Sequence, residues 1–122
     1  MGLFLMTDSM IQSLRSDCPV AAVLDILGDK WTLLIIRDII VNHRHRYGEF
    51  AAMAENIPTN ILADRLKRLV DYAILEKILY QEKPMRYEYH LTEKGCALEP
   101  IVRDMIRWGL HYVPGTGKSK GY

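Results

Sequence analysis

Apolar residues recur at helical spacing through most of this chain and switch to strict alternation in one stretch past its middle. Val20, Val23, Leu24 and Leu27 predict a first clear helix. Pro19 suits its first turn, where a missing N–H costs nothing, and Gly28 suits a C′ stop. A second helix, from about 31 to 41, is apolar almost all round, with Arg37 and Asp38 as the interruption. Such a helix belongs in the middle of a core. Residues 42–46 are a polar loop, 47–53 a short helix and 54–56 a turn. The strongest amphipathic pattern covers 59–72: Leu62, Leu66, Leu69 and Ala73 form one stripe, and Asn60, Ala63, Asp64, Lys67, Arg68 and Asp71 face the other way. Residues 74–80 and 86–91 are rich in β-formers, and Tyr87, Tyr89 and Leu91 alternate with Arg86, Glu88 and His90. With 81–85 as the loop they predict a hairpin. Thr92 caps a long last helix over about 93–113, bent where Pro100 removes a backbone hydrogen bond.

The ends carry weaker signals. Residues 3–14 are largely apolar, and Thr7, Asp8 or Ser9 can each cap a short helix over 10–15. Residues 114–122 lack apolar periodicity and read as a flexible tail. Two helices joined by a tight turn, the second amphipathic and followed at once by a hairpin, make a winged helix-turn-helix. The expected fold class is therefore mainly α with a β-hairpin wing (α+β), flanked by N- and C-terminal dimerisation helices. One domain spans 1–113, with a recognition helix at about 59–72, a wing at about 74–91 and a dimerisation helix at about 93–113.

Composition narrows the class. At 122 residues, 49% hydrophobic and 25% charged, the chain is one folded domain rather than a disordered one. No apolar run reaches the length of a membrane span, and the opening MGLFLM has neither a basic n-region nor an h-region long enough for a signal peptide. Two cysteines, Cys18 and Cys96, are too few for a disulfide scaffold, so a reducing cytoplasm is expected. The net charge of +1 is far from the strongly basic balance of many nucleic-acid binders. A DNA-binding reading must therefore rest on where particular charges sit.

Several strings in order strengthen that reading. Cys18-Pro19-Val20 is followed by Leu27-Gly28-Asp29-Lys30-Trp31, by Arg46-Tyr47-Gly48-Glu49-Phe50 and by the run from Ile61 to Leu69. Tyr87-Glu88-Tyr89-His90-Leu91-Thr92-Glu93-Lys94-Gly95, Pro100-Ile101-Val102 and Trp108-Gly109 complete the series. From about Cys18 to Gly109 the chain resembles HxlR-type transcription regulators, a branch related to the MarR group. The resemblance implies a dimeric winged-helix DNA-binding regulator without enzymatic activity. Two positions depart from it. Ala73 stands where Gly is usual just past the recognition helix, and Pro58 stands where Ser commonly opens that helix.

A recognition helix reads base edges from its N-terminal half. Thr59, Asn60, Ala63 and Asp64 are thus the candidates for the major groove: Asn pairs with adenine, Thr and Ala meet the thymine methyl, and Asp accepts from cytosine N4. Arg65, Lys67 and Arg68 are expected on phosphates, which set register rather than sequence. Lys83 and Arg86 would place the wing on the adjacent backbone or minor groove, and Arg46, more than Arg44, would clamp a phosphate beside Tyr47. Leu98, Ile101, Met105, Trp108 and Tyr112 form a stripe expected at the dimer interface, with Val102, Ile106, Leu110 and Val113 beside it.

Cys18 has two readings. It is a small buried hydrophobe, or a thiol whose pKa a helix N-terminus lowers against the opposing Asp17. The resemblance adds oxidant or electrophile sensing to the second. Cys96 is expected to pack. His43 and His45 lack cysteine or carboxylate partners at zinc spacing, and Gly117-Lys118-Ser119 lacks the earlier glycine and the strand of a P-loop. No cofactor and no metal are expected. The expected partners are a double-stranded operator and a second copy of the chain, with no membrane; the sequence identifies no small-molecule effector. A winged-helix module that docks proteins without DNA is the rival reading.

Overall fold

The core is assembled around a helix that is apolar on nearly every side. In the computed structural model, which describes residues 16–118, this is α2 (Thr32–Ile40), preceded by α1 (Pro19–Leu27). There follow α3 (Tyr47–Ala51), α4 (Thr59–Asp71), strands β1 (Leu75–Glu82) and β2 (Met85–Leu91), and helices α5 (Glu93–Cys96) and α6 (Glu99–Tyr112). Ile35, Ile36, Ile39 and Ile40 of α2 meet Phe50, Met53 and Ile57, the α4 stripe of Leu62, Leu66 and Leu69, then Ile74, Leu75 and Val102. Each such side chain contributes about 1.5–3 kcal/mol when fully buried, so the leucine stripe decides which face of α4 turns inward. The winged helix-turn-helix expected from the sequence is present. The apolar segment and short helix expected within 3–15 lie outside the described residues. No helix among the described residues is long and apolar enough to cross a membrane.

Several local expectations change. The loop of the hairpin shortens to Lys83-Pro84, joined by a cis peptide, because β1 and β2 pair out to Glu82↔Met85 through a bulge between Leu79 and Gln81. The helix expected over 93–113 is two helices. Pro100 lies in the first turn of α6 rather than inside a bent helix, since a proline has no N–H to continue the ladder and none is needed there. Residues 114–118 of the expected tail turn back on α6: the Thr116 hydroxyl donates to the carbonyls of Gly109 (3.1 Å) and Val113 (2.8 Å). Gly28 ends α1 in a right-handed conformation (φ −79°), not a left-handed one. It is needed because a Cβ there would come within 2.2 Å of the Leu24 carbonyl oxygen.

Ala73 is not the last member of the buried stripe. It is exposed and adopts φ +60°, the left-handed C′ position that usually falls to glycine. The Ala73 N–H donates to Val70 and the Ile74 N–H to Leu69, both at 2.9 Å, which closes α4 as a Schellman motif. Asp38, read as part of a polar interruption, is wholly buried. Its Oδ1 accepts from Arg37 Nη2 (2.8 Å) and Asn42 Nδ2 (2.9 Å), and Oδ2 lies 3.6 Å from Arg44. Arg37 reaches on to Glu55, so a charged cluster closes the end of α2 next to the loop that leads into α3.

Candidate nucleic-acid interface

Pro58, extended at φ −61° and ψ 141°, opens α4 without a side-chain cap. The first turn of that helix therefore faces outward with its side chains uncommitted. Thr59, Asn60, Ala63, Asp64 and Lys67 are exposed, and neither Thr59 nor Asn60 spends its side chain on a hydrogen bond within the described residues. Lys67 pairs with Asp71 one turn on (3.0 Å) in full solvent, a contact too weak to hold it back. Arg68 is half-buried. Tyr47, at the start of α3, donates its hydroxyl to the Thr59 carbonyl (3.3 Å) and so ties the two helices together.

Two arginines expected on phosphates have protein partners instead. Arg65 lies only 19% exposed between Asp29 (Nε to Oδ1, 3.1 Å) and Asp64, with which it makes a short contact. Asp29 also accepts from the N–H groups of Trp31 (2.9 Å) and Thr32 (3.0 Å) and from the Thr32 hydroxyl. Partial burial pushes its carboxyl up, but these donors together hold it at about 2. Arg65 thereby joins α4 to the start of α2, and Asp64 is engaged rather than open to a base. Arg46 is the second case. Its Nε donates to Glu88 (3.0 Å) and its guanidinium lies 4.0 Å over the Tyr80 ring. Arg44 is half-buried and donates to the Glu49 carbonyl (3.1 Å).

Sequence reasoning missed the brace that Arg46 belongs to. The loop before α3 adds a bridge, Arg46↔Glu88, to the free edge of β2, and the Tyr89 N–H donates to the His45 carbonyl (2.7 Å). His45 and His90 stack at 4.1 Å, and His90 Nε2 lies 3.0 Å from Glu88. The His90 and Arg46 hydrogen bonds hold the Glu88 carboxyl below its ordinary range. Glu49 is likewise held down by the N–H groups of His45 (2.9 Å) and Arg46 (3.0 Å). The wing is thus locked to α3 by groups far apart in the chain. At its tip Lys83 and Arg86 are exposed, and no carboxylate among the described residues pairs with either. Lys77, also unassigned from sequence, lies 4.2 Å over the Tyr87 ring.

Segment 92–95 fastens the far end of α4. Lys94 Nζ donates to the Tyr72 carbonyl (2.7 Å), and the Thr92 hydroxyl donates to those of Ala73 (2.6 Å) and Ile74 (3.2 Å). Thr92 also caps α5, as expected, by accepting from the Gly95 N–H (3.0 Å).

The remaining candidates lie away from this face. On α6, Ile101, Met105, Trp108 and Tyr112 are exposed, whereas Leu98 is half-buried against the core and Val102 is buried. The expected stripe therefore divides, because Leu98 precedes the first turn of α6 and faces inward. Cys18 is the exposed N-cap of α1, without a cap hydrogen bond from its side chain. Cys96, expected to pack, is exposed as well, because Gly95 takes the inward position of α5. His43 is exposed at φ 53°, and no group of three or more His, Cys, Asp or Glu among the described residues is placed to hold a metal.

A core-packed helix with its N-terminal face open, crossed by a short helix and flanked by a braced hairpin, defines a winged helix-turn-helix protein. Residues 26–116 match the HxlR-like helix-turn-helix model, and the chain belongs to that family. It is 36% identical over 95 residues to a protein of Mycobacterium tuberculosis described as the uncharacterized HTH-type transcriptional regulator Rv3095, covering 78% of this chain and 59% of that one. This chain thus spans less than two-thirds of that relative's length. The crystal structure of PA1607 is similar at 36% identity and a TM-score of 0.75, covering 88% of this chain and 74% of that one. The redox regulator HypR in its reduced form is similar at 34% identity and a TM-score of 0.70, covering 77% and 92%.

Proposed function

We propose that this chain is a DNA-binding transcription regulator that works as a homodimer on an inverted-repeat operator. The observation that carries the reading is the open first turn of α4, with Thr59, Asn60 and Ala63 uncommitted beside a wing whose Lys83 and Arg86 lack acidic partners. Base edges are read by the former and phosphates by Lys67, Lys83 and Arg86. Arg46 and Arg65 set the relative positions of wing, α3 and α4 rather than meeting the backbone first. Two copies joined through Ile101, Met105, Trp108 and Tyr112 would present two reading helices, with half-sites about 10 bp apart centre to centre or a multiple of that. Membership in the HxlR-like family and the likeness to a redox regulator support the reading, and Cys18, the exposed N-cap of α1, is the sensing thiol that this reading puts to the test.

The test is in vitro selection of bound duplexes, followed by titration of the selected site over a range of salt. Lys67→Ala should weaken all duplexes alike and reduce the salt slope by about one. Asn60→Ala should change preference at one base pair, at a cost of roughly 1–3 kcal/mol there. If neither variant alters affinity or preference, α4 is not the reading helix. Sedimentation that finds a stable monomer at micromolar concentration removes the dimer.

A further inference from the structure

The sheet has two strands, and only β2 gains a further neighbour, the bridge at Arg46. The outer edge of β1 is therefore open among the described residues. Such an edge presents unpaired N–H and C=O groups, and proteins ordinarily blunt it or cover it. Here Glu76 to Tyr80 are all exposed, with Ile78 and Leu79 each at 40% and Tyr80 at 38%. The charges along the edge, Glu76, Lys77, Glu82 and Lys83, form no ion pair among the described residues, and Lys77 rests on the Tyr87 ring. The bulge decides which of these residues share a face. Lys77, Leu79 and Glu82 lie opposite Tyr89, Tyr87 and Met85, which alternate along one face of β2. Ile78 and Gln81 lie opposite Glu88 and Arg86, on the other face. Without the extra residue of the bulge, Lys77 and Glu82 would fall on opposite faces, being an odd number of positions apart.

We propose that the open edge of β1 pairs with the β1 edge of a second copy of the chain, antiparallel about a two-fold axis. That symmetry keeps each face of the sheet on its own side, so opposed residues must come from the same face. One alignment meets this condition and brings opposite charges together. Leu79 faces Tyr80 at the axis, Ile78 faces Gln81, Lys77 faces Glu82 and, just past the strand, Glu76 faces Lys83, each twice by symmetry. A shift of one residue sets Lys77 against Gln81 or Ile78 against Glu82, which lie on opposite faces. A shift of two sets no opposite charges against each other. Opposed apolar residues and opposite charges stabilise a strand pair, and like charges directly opposite weaken it. The edge is thus complementary to itself in the register that its bulge allows. The contact uses none of the exposed residues of α6 and does not depend on DNA binding. In a regulator it would link neighbouring dimers on one duplex.

The experiment is equilibrium sedimentation of the full chain without DNA, from about 10 μM to about 1 mM, because so small an interface associates weakly. The mass at the lowest concentration is the baseline, whichever state the α6 face sets. The weight-average mass should rise above it with a dissociation constant of about 1 mM or tighter. Lys77→Glu and Glu82→Lys each set like charges opposite one another twice, and each variant alone should associate at least about tenfold more weakly. An equimolar mixture of the two should regain the association, because each altered residue then meets its complement on the other chain. Both side chains are exposed, so neither variant should move the melting profile. A mass that stays at the baseline up to the highest concentration overturns the contact. So do single variants that associate as the unaltered chain does, or a mixture that associates no better than its components. No duplex enters the experiment, so its outcome is separate from that of the DNA-binding reading.

Discussion

Replacing Ala73 by glycine is expected to stabilise this protein, although the change deletes a methyl group and adds nothing. Ala73 is held at φ +60°, where an L-residue carries a penalty of roughly 1–2 kcal/mol. Glycine escapes that penalty but loses about 0.5–1 kcal/mol more than alanine in chain entropy on folding. The net gain is about 0.5–1 kcal/mol. Nothing else should change: the side chain is exposed, and the residue's hydrogen bonds, to Val70 and from Thr92, run through its backbone. For a domain of this size the gain corresponds to a melting point higher by about 2–4 °C. Ala63→Gly is the control, since Ala63 is exposed within the same helix. There the same deletion should cost about 1 kcal/mol. Urea unfolding followed by circular dichroism at one protein concentration measures both, because any self-association makes midpoints depend on concentration. Opposite shifts at equal slope are the expected result. If Ala73→Gly destabilises as Ala63→Gly does, position 73 is not left-handed and the closure of α4 described above is wrong.

Three further outcomes follow from other parts of the structure. Gly95→Ala should cost about 2 kcal/mol or more in denaturant unfolding, since its Cβ would lie 2.2 Å from the Ile74 carbonyl oxygen; a near-neutral result would show that α5 does not abut the end of α4. Asp29→Asn should be less stable than the parent at pH 7. The Asp29 carboxyl is held at about 2 against an ordinary 3.8, so its stabilisation is present above about pH 4 and is lost as pH falls toward 2. The gap between parent and variant should therefore narrow over that window, and a gap independent of pH refutes the assignment. Diamide should change the operator affinity of the parent but not of Cys18→Ser, and an identical response of the two chains leaves Cys18 as a surface residue without a sensing role.

The architecture was legible along the chain because burial imposes a period. Leu62, Leu66 and Leu69 announce the inward face of α4 and Thr92 announces a cap, from neighbours within a few residues; the alternation of residue types from Arg86 to Leu91 announces a strand, although residues 87–91 of β2 are all half-buried and its two faces do not differ in burial. The outward face of α4 follows from the same period: of Asn60, Ala63, Asp64, Lys67, Arg68 and Asp71, all are exposed except Arg68, which is half-buried. The fate of the arginines was not legible. Arg65 and Asp29 are 36 residues apart, and Arg46 and Glu88 are 42 apart, so no local pattern distinguishes a guanidinium bound for a phosphate from one bound for a carboxylate. The same holds for buried Asp38 and for the close approach of Gly95 to Ile74. Periodicity determines which side of an element avoids water. Which charge meets which is decided only when the folded chain brings distant segments within a few ångströms, because charge-assisted contacts depend on distance in space and not on distance in sequence.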